Sequence, residues 1–223
     1  MIRALIFDFD GLILETEEPV FQSYQEIYQE YGVELTLDYW SHLLGVASGI
    51  HDPLADLEQQ IGFTLPRQEI LQRQHQRQME MILVRPVMPG VRETLQRARQ
   101  LGLKIGLASS SPCSWVVSHL TRLGLVEYFN CIKASDDVER TKPDPSLFLA
   151  VLEELGISSE EAIVFEDSPN GILAAKRAGL FCVVVPNVLT RRLPIDHADL
   201  RLDSLTAMTL DELLVRIQAQ MSN

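Results

Sequence analysis

From Pro89 onward the chain keeps repeating one pattern: a stretch with apolar residues at helical spacing, a glycine, then a short apolar run. Val91–Leu101 stops at Gly102 and is followed by the run Lys104–Ala108; Pro112–Leu123 stops at Gly124 before Asn130–Ala134; Ser146–Leu155 stops at Gly156 before Ala162–Phe165; Pro169–Ala178 stops at Gly179 before Cys182–Val185. Glycine ends a helix because it adopts the left-handed conformation without a Cβ penalty. Runs of four or five apolar residues between helices fit strands buried on both faces. This alternation predicts a doubly wound parallel α/β sheet, with a last helix near Leu210–Gln220.

One further apolar run, Ala4–Phe7, stands apart at the start of the chain. Residues from about 17 to 86 show no strand pattern; they are rich in Gln, Leu and Glu and broken at Gly32, Gly45, Gly49, Pro53, Gly62 and Pro66. That texture predicts a bundle of about four helices. Thr16 is expected to cap the first of them, ahead of Glu17, Glu18 and Pro19 and running to about Tyr31. The expected organisation is therefore an α/β core of residues 1–14 and 88–223 carrying an inserted helical segment, residues 15–87.

Ligands in open α/β sheets bind beyond the carboxyl ends of the strands. The first strand runs into Asp8 and Asp10, whose side chains share a direction along extended backbone. Two like charges so close call for a hard cation between them, the alternative being two acids at a merely solvated strand end. Ser109 and Ser110 follow the second strand, Lys142 lies in the loop after the third, and Glu166 and Asp167 follow the fourth. Taken singly, Ser109–Ser111 reads as a helix-capping cluster, Lys142 as a solvated lysine and Glu166–Ser168 as a cap for the helix at Pro169. Four carboxylates, a hydroxyl donor and one lysine at consecutive strand ends go beyond capping.

The formal charge of −12 leaves no basic stripe for nucleic acid. No apolar run approaches membrane-spanning length, and Cys113, Cys131 and Cys182 lack metal-ligand spacing. The expectation is a cytoplasmic monomer with reduced thiols, without nucleic-acid or membrane partners.

Asp8-Phe9-Asp10-Gly11, Ser109 after a strand, Lys142-Pro143-Asp144-Pro145 and Phe165-Glu166-Asp167-Ser168-Pro169-Asn170-Gly171 resemble, in order and spacing, the motifs of haloacid dehalogenase-like hydrolases. The likeness spans the whole chain and is closest to the capped β-phosphoglucomutase-like phosphatases, so it implies a Rossmannoid core with an α-helical cap. It implies that Asp8 is a nucleophile forming an aspartyl phosphate from a small phosphorylated metabolite, and that Asp10 is the general acid and then base. It implies Mg2+ held by Asp8, the Asp10 carbonyl and Asp167, with Glu166 as a further or supporting ligand. Ser109 and Lys142, with N–H groups near Phe9, Asp10 and Ser110, would hold the phosphoryl oxygens.

Elementary electrostatics agrees with that division of labour. At ~4 Å and an effective dielectric of about 20, a carboxylate and a phosphate dianion repel by roughly 8 kcal/mol. Attack by Asp8 therefore needs positive charge, which a divalent ion and Lys142 supply. Dehalogenases of this family lack the second aspartate, so Asp10 favours phosphoryl transfer. The mutases carry an arginine shortly after a cap glycine, and Gly45-Val46-Ala47-Ser48-Gly49 has none, which favours hydrolysis. The alternatives are a sugar phosphomutase and a catalytically idle binder of a phosphorylated ligand. Glu15 stands where the family usually has aspartate and reads as supporting or capping. Glu17, Phe21, Tyr24, Trp40, His42, Leu44, Ser48 and His51 are candidate substrate contacts, though core packing or solvent exposure explains each of them better; Trp115 reads as packed between elements.

Overall fold

The computed structural model describes residues 1–44 and 52–221. Six parallel strands, β1 (Ala4–Phe7), β2 (Lys104–Ala108), β3 (Cys131–Lys133), β4 (Ala162–Glu166), β5 (Phe181–Val184) and β6 (Leu200–Arg201), form one sheet in the order β3-β2-β1-β4-β5-β6. Ala4 is in register with Lys104 on one side and Ala162 on the other. The helices are α1 (Glu17–Glu30), α2 (Leu37–Leu44), α3 (Pro53–Ile61), α4 (Arg67–Leu83), α5 (Val91–Gln100), α6 (Cys113–Leu123), α7 (Ser146–Leu155), α8 (Pro169–Arg177) and α9 (Leu210–Met221). Strand order reverses between β1 and β4, so the crevice that α/β sheets use for ligands opens there.

Alternation along each strand sends residues to two buried faces. Ala4 and Ile6, Ala162 and Val164, and Cys182 and Val184 share a core with Leu147, Phe148 and Val151 of α7 and Ile172 and Ala175 of α8. Phe7 and Phe165 face the other way and stack with ring centroids 4.9 Å apart. Each buried Val, Leu, Ile or Phe among them contributes ~1.5–3 kcal/mol, which is why the strands are apolar throughout. Gly106 lets α7 lie directly on the sheet: a Cβ there would come 2.5 Å from Val151 Cγ1.

Three local features differ from expectation. The third strand is shorter at both ends. Asn130 turns its side chain to the second strand, its Oδ1 accepting Ile105 N–H at 2.8 Å, and Ala134 N–H donates to Asp137 Oδ2 in a turn. Strand β6 has two residues, too few for a readable period, and is held by Asp199 N–H on Cys182 O and Leu202 N–H on Val184 O. Glu15, not Thr16, caps α1: its Oε1 accepts the N–H groups of Glu17 and Glu18, both at 3.0 Å. Thr16 sits at φ −114°, ψ −21°, outside the extended region a capping residue prefers, and its buried hydroxyl has no hydrogen-bond partner.

The chain divides into two compact units, Met1–Leu14 with Pro86–Asn223 and Glu15–Arg85. Within the second, α1 and α4 are joined by Gln74 Nε2 donating to Ser23 Oγ at 2.8 Å, and the Tyr28 hydroxyl donates to Pro53 O at 2.6 Å. Trp40 is buried between Phe21 and Tyr24, at centroid separations of 5.8 and 5.5 Å. No helix is long and apolar enough to cross a membrane among the described residues.

Candidate active site

Asp8 leaves the end of β1 with its N–H on Phe165 O at 3.0 Å, which fixes it beside the end of β4. Lys142 reaches into the same place from the loop after β3. Its Nζ bonds Asp8 Oδ1, Glu166 Oε1 at 2.6 Å and Ala108 O at 2.7 Å, with the Phe148 ring 5.1 Å away. Burial alone would lower the pKa of this ammonium; Asp8 and Glu166 outweigh burial and raise it, so Lys142 is a permanent cation.

Glu166 is wholly buried. Its Oε2 accepts the N–H of Asp167 at 3.0 Å, the N–H of Ser168 at 3.2 Å and the Ser168 hydroxyl at 3.1 Å. Its carboxylate occupies the space a side chain at residue 171 would need: a Cβ on Gly171 would lie 1.9 Å from Glu166 Cδ. Ser168 does the capping, its Oγ accepting Gly171 N–H at 3.1 Å. The three residues thus separate their tasks: Glu166 braces Lys142 and the turn, Ser168 starts α8, and Asp167 is turned toward the crevice side, where Asn187 Nδ2 donates to its Oδ2 at 2.9 Å.

Asp8, Glu166 and Asp167 each offer an oxygen within 4.8 Å of the others. Three buried acids against one ammonium leave an excess of negative charge. Burial first, and then the charge of Glu166, push the Asp8 carboxyl from 3.8 up to about 8, against the opposing pull of Lys142. Oxygen donors with unbalanced negative charge suit a hard divalent cation, and the donor set present here fits Mg2+. Gly11 keeps that hollow open: at φ +79° it turns the chain, and a Cβ on it would meet Asp167 Oδ2 at 2.3 Å.

Asp10 is held from the α6 side. Its Oδ2 accepts the Ser111 hydroxyl at 2.6 Å and the Ser109 hydroxyl at 3.4 Å, and its Oδ1 accepts Trp115 Nε1–H at 3.0 Å. The Trp115 ring rests edge-on against His119, centroids 4.3 Å apart. Burial, with the charge of Arg122, lowers the His119 pKa, against a smaller opposite effect of Asp10. Among the residues singled out from the sequence, Asp8, Asp10, Ser109, Lys142, Glu166 and Asp167 thus lie around one end of the sheet. Phe9 is buried behind them and Ser110 is exposed at the rim. Phe21, Tyr24 and Trp40 pack on one another. The side chains of His42 and Leu44, and residues Ser48 and His51 with the Gly45–Gly49 stretch, lie outside the described residues.

Sequence reasoning placed Ser111 in a helix-capping cluster and Trp115 in packing, without their bonds to Asp10, and passed over Asn187. Ser111 lies just before the extended N-cap Pro112 and Trp115 in the first turn of α6, so both flank the helix start that faces Asp10. Asn187 lies just past β5, and carrying the strand-end reading to the fifth strand would have found it.

Residues 5–185 match the family model described as haloacid dehalogenase-like hydrolase. The chain belongs to that family. YhcW of Bacillus subtilis (strain 168) is 46% identical over 220 residues, covering 99% of this chain and 100% of its own. Hexitol phosphatase B of Escherichia coli (strain K12) is 31% identical over 218 residues, covering 96% and 97%. The crystal structure of CbbY from Rhodobacter sphaeroides in complex with phosphate superposes with a TM-score of 0.71 at 29% identity, covering 96% and 99%. This haloacid dehalogenase-like chain is a phosphatase, a phosphoric monoester hydrolase, with the parallel α/β core of its family.

Proposed function

We propose that this chain is an Mg2+-dependent phosphatase that hydrolyses a small phosphorylated carbohydrate through an aspartyl phosphate on Asp8, as a cytoplasmic monomer whose Glu15–Arg85 unit is the cap that selects substrate. The observation that carries the reading is the meeting of Asp8, Lys142, Glu166 and Asp167 at the β1/β4 switch point. The carbohydrate assignment is supported by the name hexitol phosphatase B borne by a relative of nearly full coverage. The three free cysteines suit a reducing compartment.

In the first step an Asp8 carboxylate oxygen attacks phosphorus, the ester P–O bond breaks, and Asp10 passes a proton to the departing alcohol oxygen. In the second, Asp10 takes a proton from water, whose oxygen attacks the same phosphorus; inorganic phosphate leaves and the Asp8 carboxylate is restored. Lys142 and the Ser109 hydroxyl hold the phosphoryl oxygens in line, and Glu166 keeps Lys142 aimed. Mg2+, held by the Asp8 side chain, the Asp10 carbonyl and Asp167, would supply the positive charge that lets two anions approach. Asp10 in its observed place is fixed by three donors, which orients its carboxylate for both proton transfers.

The test is turnover of a panel of sugar and polyol phosphates, nucleotides, phosphoglycolate and flavin mononucleotide with Mg2+ and with excess chelator. The proposal predicts release of phosphate with Mg2+ alone, most rapidly from a carbohydrate ester, and its loss in Asp8→Asn. Undiminished turnover in chelator would contradict it.

A further inference from the structure

We infer that Asn187 is a positioning residue for divalent-cation binding, acting through the Asp167 carboxylate; the inference rests on the Mg2+ reading above. Asn187 is 4% exposed, and every polar group on it is engaged. Its Oδ1 accepts the N–H of Leu189 and the N–H of Thr190, each at 2.9 Å. Its own N–H donates to Thr190 Oγ1 at 3.0 Å, and its carbonyl accepts Arg191 Nε–H at 3.1 Å and Arg191 N–H at 3.2 Å.

Two backbone donors on Oδ1 decide which way the amide faces. Flipped, it would set its own N–H groups against those donors, so the turn forces Nδ2 toward Asp167. There it meets Oδ2 at 2.9 Å. The Gly11 backbone closes the third side, since a Cβ on Gly11 would lie 2.3 Å from Asp167 Oδ2 and 2.7 Å from Asn187 Nδ2. The rotation of the Asp167 carboxylate is therefore set by a rigid turn after β5 rather than by its own rotamer preference. Hydrogen bonds that orient a ligating carboxylate typically govern metal affinity by about 10–100-fold. An amide does this without adding charge, so it leaves the excess negative charge of Asp8, Glu166 and Asp167 intact for the ion.

The variant that separates orientation from folding is Asn187→Ser. A serine hydroxyl still accepts from the N–H groups two and three residues on, yet is too short to reach Asp167. Asn187→Ala is the second variant. Mn2+ binding to the substrate-free proteins is measured by electron paramagnetic resonance, and thermal unfolding in chelator and in Mg2+ is measured alongside. Asn187→Ser is expected to bind Mn2+ at least tenfold more weakly than the unaltered protein, with a smaller Mg2+-induced rise in Tm. Equal Mn2+ affinity in both variants and the parent, with Tm lowered by the same amount in chelator and Mg2+, would make Asn187 a turn residue only and overturn the inference. Failure of the unaltered protein to bind Mn2+ would overturn the metal reading, and this inference with it.

Discussion

Replacing Asp8 with asparagine should stabilise the metal-free fold while abolishing the chemistry. The Asp8 carboxyl sits at about 8 in the folded protein against 3.8 in the free side chain, because burial and then Glu166 disfavour its charge. Between those values the folded state binds more protons than the unfolded one, so the Asp8 contribution to stability is complete below about pH 4, declines as pH rises, and is lost above about pH 8. At 1.36 kcal/mol per tenfold change in the ionisation ratio the full span has a ceiling of about 6 kcal/mol, and charge relaxation in a real interior reduces it to ~2–3 kcal/mol. Asparagine keeps the shape and carries no charge, so it escapes that loss. For a chain of this length each kcal/mol moves Tm by about 2–4 °C, so Asp8→Asn should melt ~4–12 °C higher than the parent at pH 8.5 in chelator. The two curves should converge toward pH 5. The assay is thermal unfolding followed by circular dichroism across that range. A variant no more stable than the parent at pH 8.5, or a gap that widens toward low pH, would refute the electrostatic picture of the site.

Two further outcomes follow from contacts around α1 and α6. Glu15→Ala removes the acceptor for the N–H groups of Glu17 and Glu18 and should cost about 1 kcal/mol, lowering Tm by ~2–4 °C, while Thr16→Val should cost nothing from capping; calorimetry of the two variants checks the assignment. Trp115→Phe keeps the ring against His119 and removes the indole N–H from Asp10 Oδ1, so kcat should fall by roughly tenfold with KM nearly unchanged, the mark of a proton-transfer group held less firmly.

The sequence made the core legible because each relevant signal is local. A strand of four apolar residues, two acids at alternate positions and a glycine are read within Ala4–Gly11, and an apolar strand, two adjacent acids, a capping serine and a glycine within Ala162–Gly171. What escaped depends on contacts between distant segments. Trp115 reads as a packing residue because its hydrophobic ring dominates; only the placement of the α6 N-terminus beside Asp10, which β1–β2 pairing imposes, reveals the use of its N–H. One local detail escaped as well: the backbone at Thr16 enters the helical region, so Glu15, read as supporting or capping, takes the place expected of Thr16. Asn187 is 20 residues from Asp167 and meets it only because β4 and β5 are adjacent and parallel. Strand ends are informative wherever the chain order is known, and β5 shows that the rule extends past the motifs that carry the resemblance.

The claim that everything else depends on is that Asp8 attacks phosphorus. Acid quenching during steady-state turnover, borohydride treatment and mapping of the resulting peptides by mass spectrometry reads it directly, since an acyl phosphate is reduced to the alcohol. The account predicts homoserine at residue 8, formed only with Mg2+ and a phosphate ester present and absent from Asp8→Asn. Rapid turnover with residue 8 unmodified under those conditions, or reduction at a different carboxylate, would contradict it.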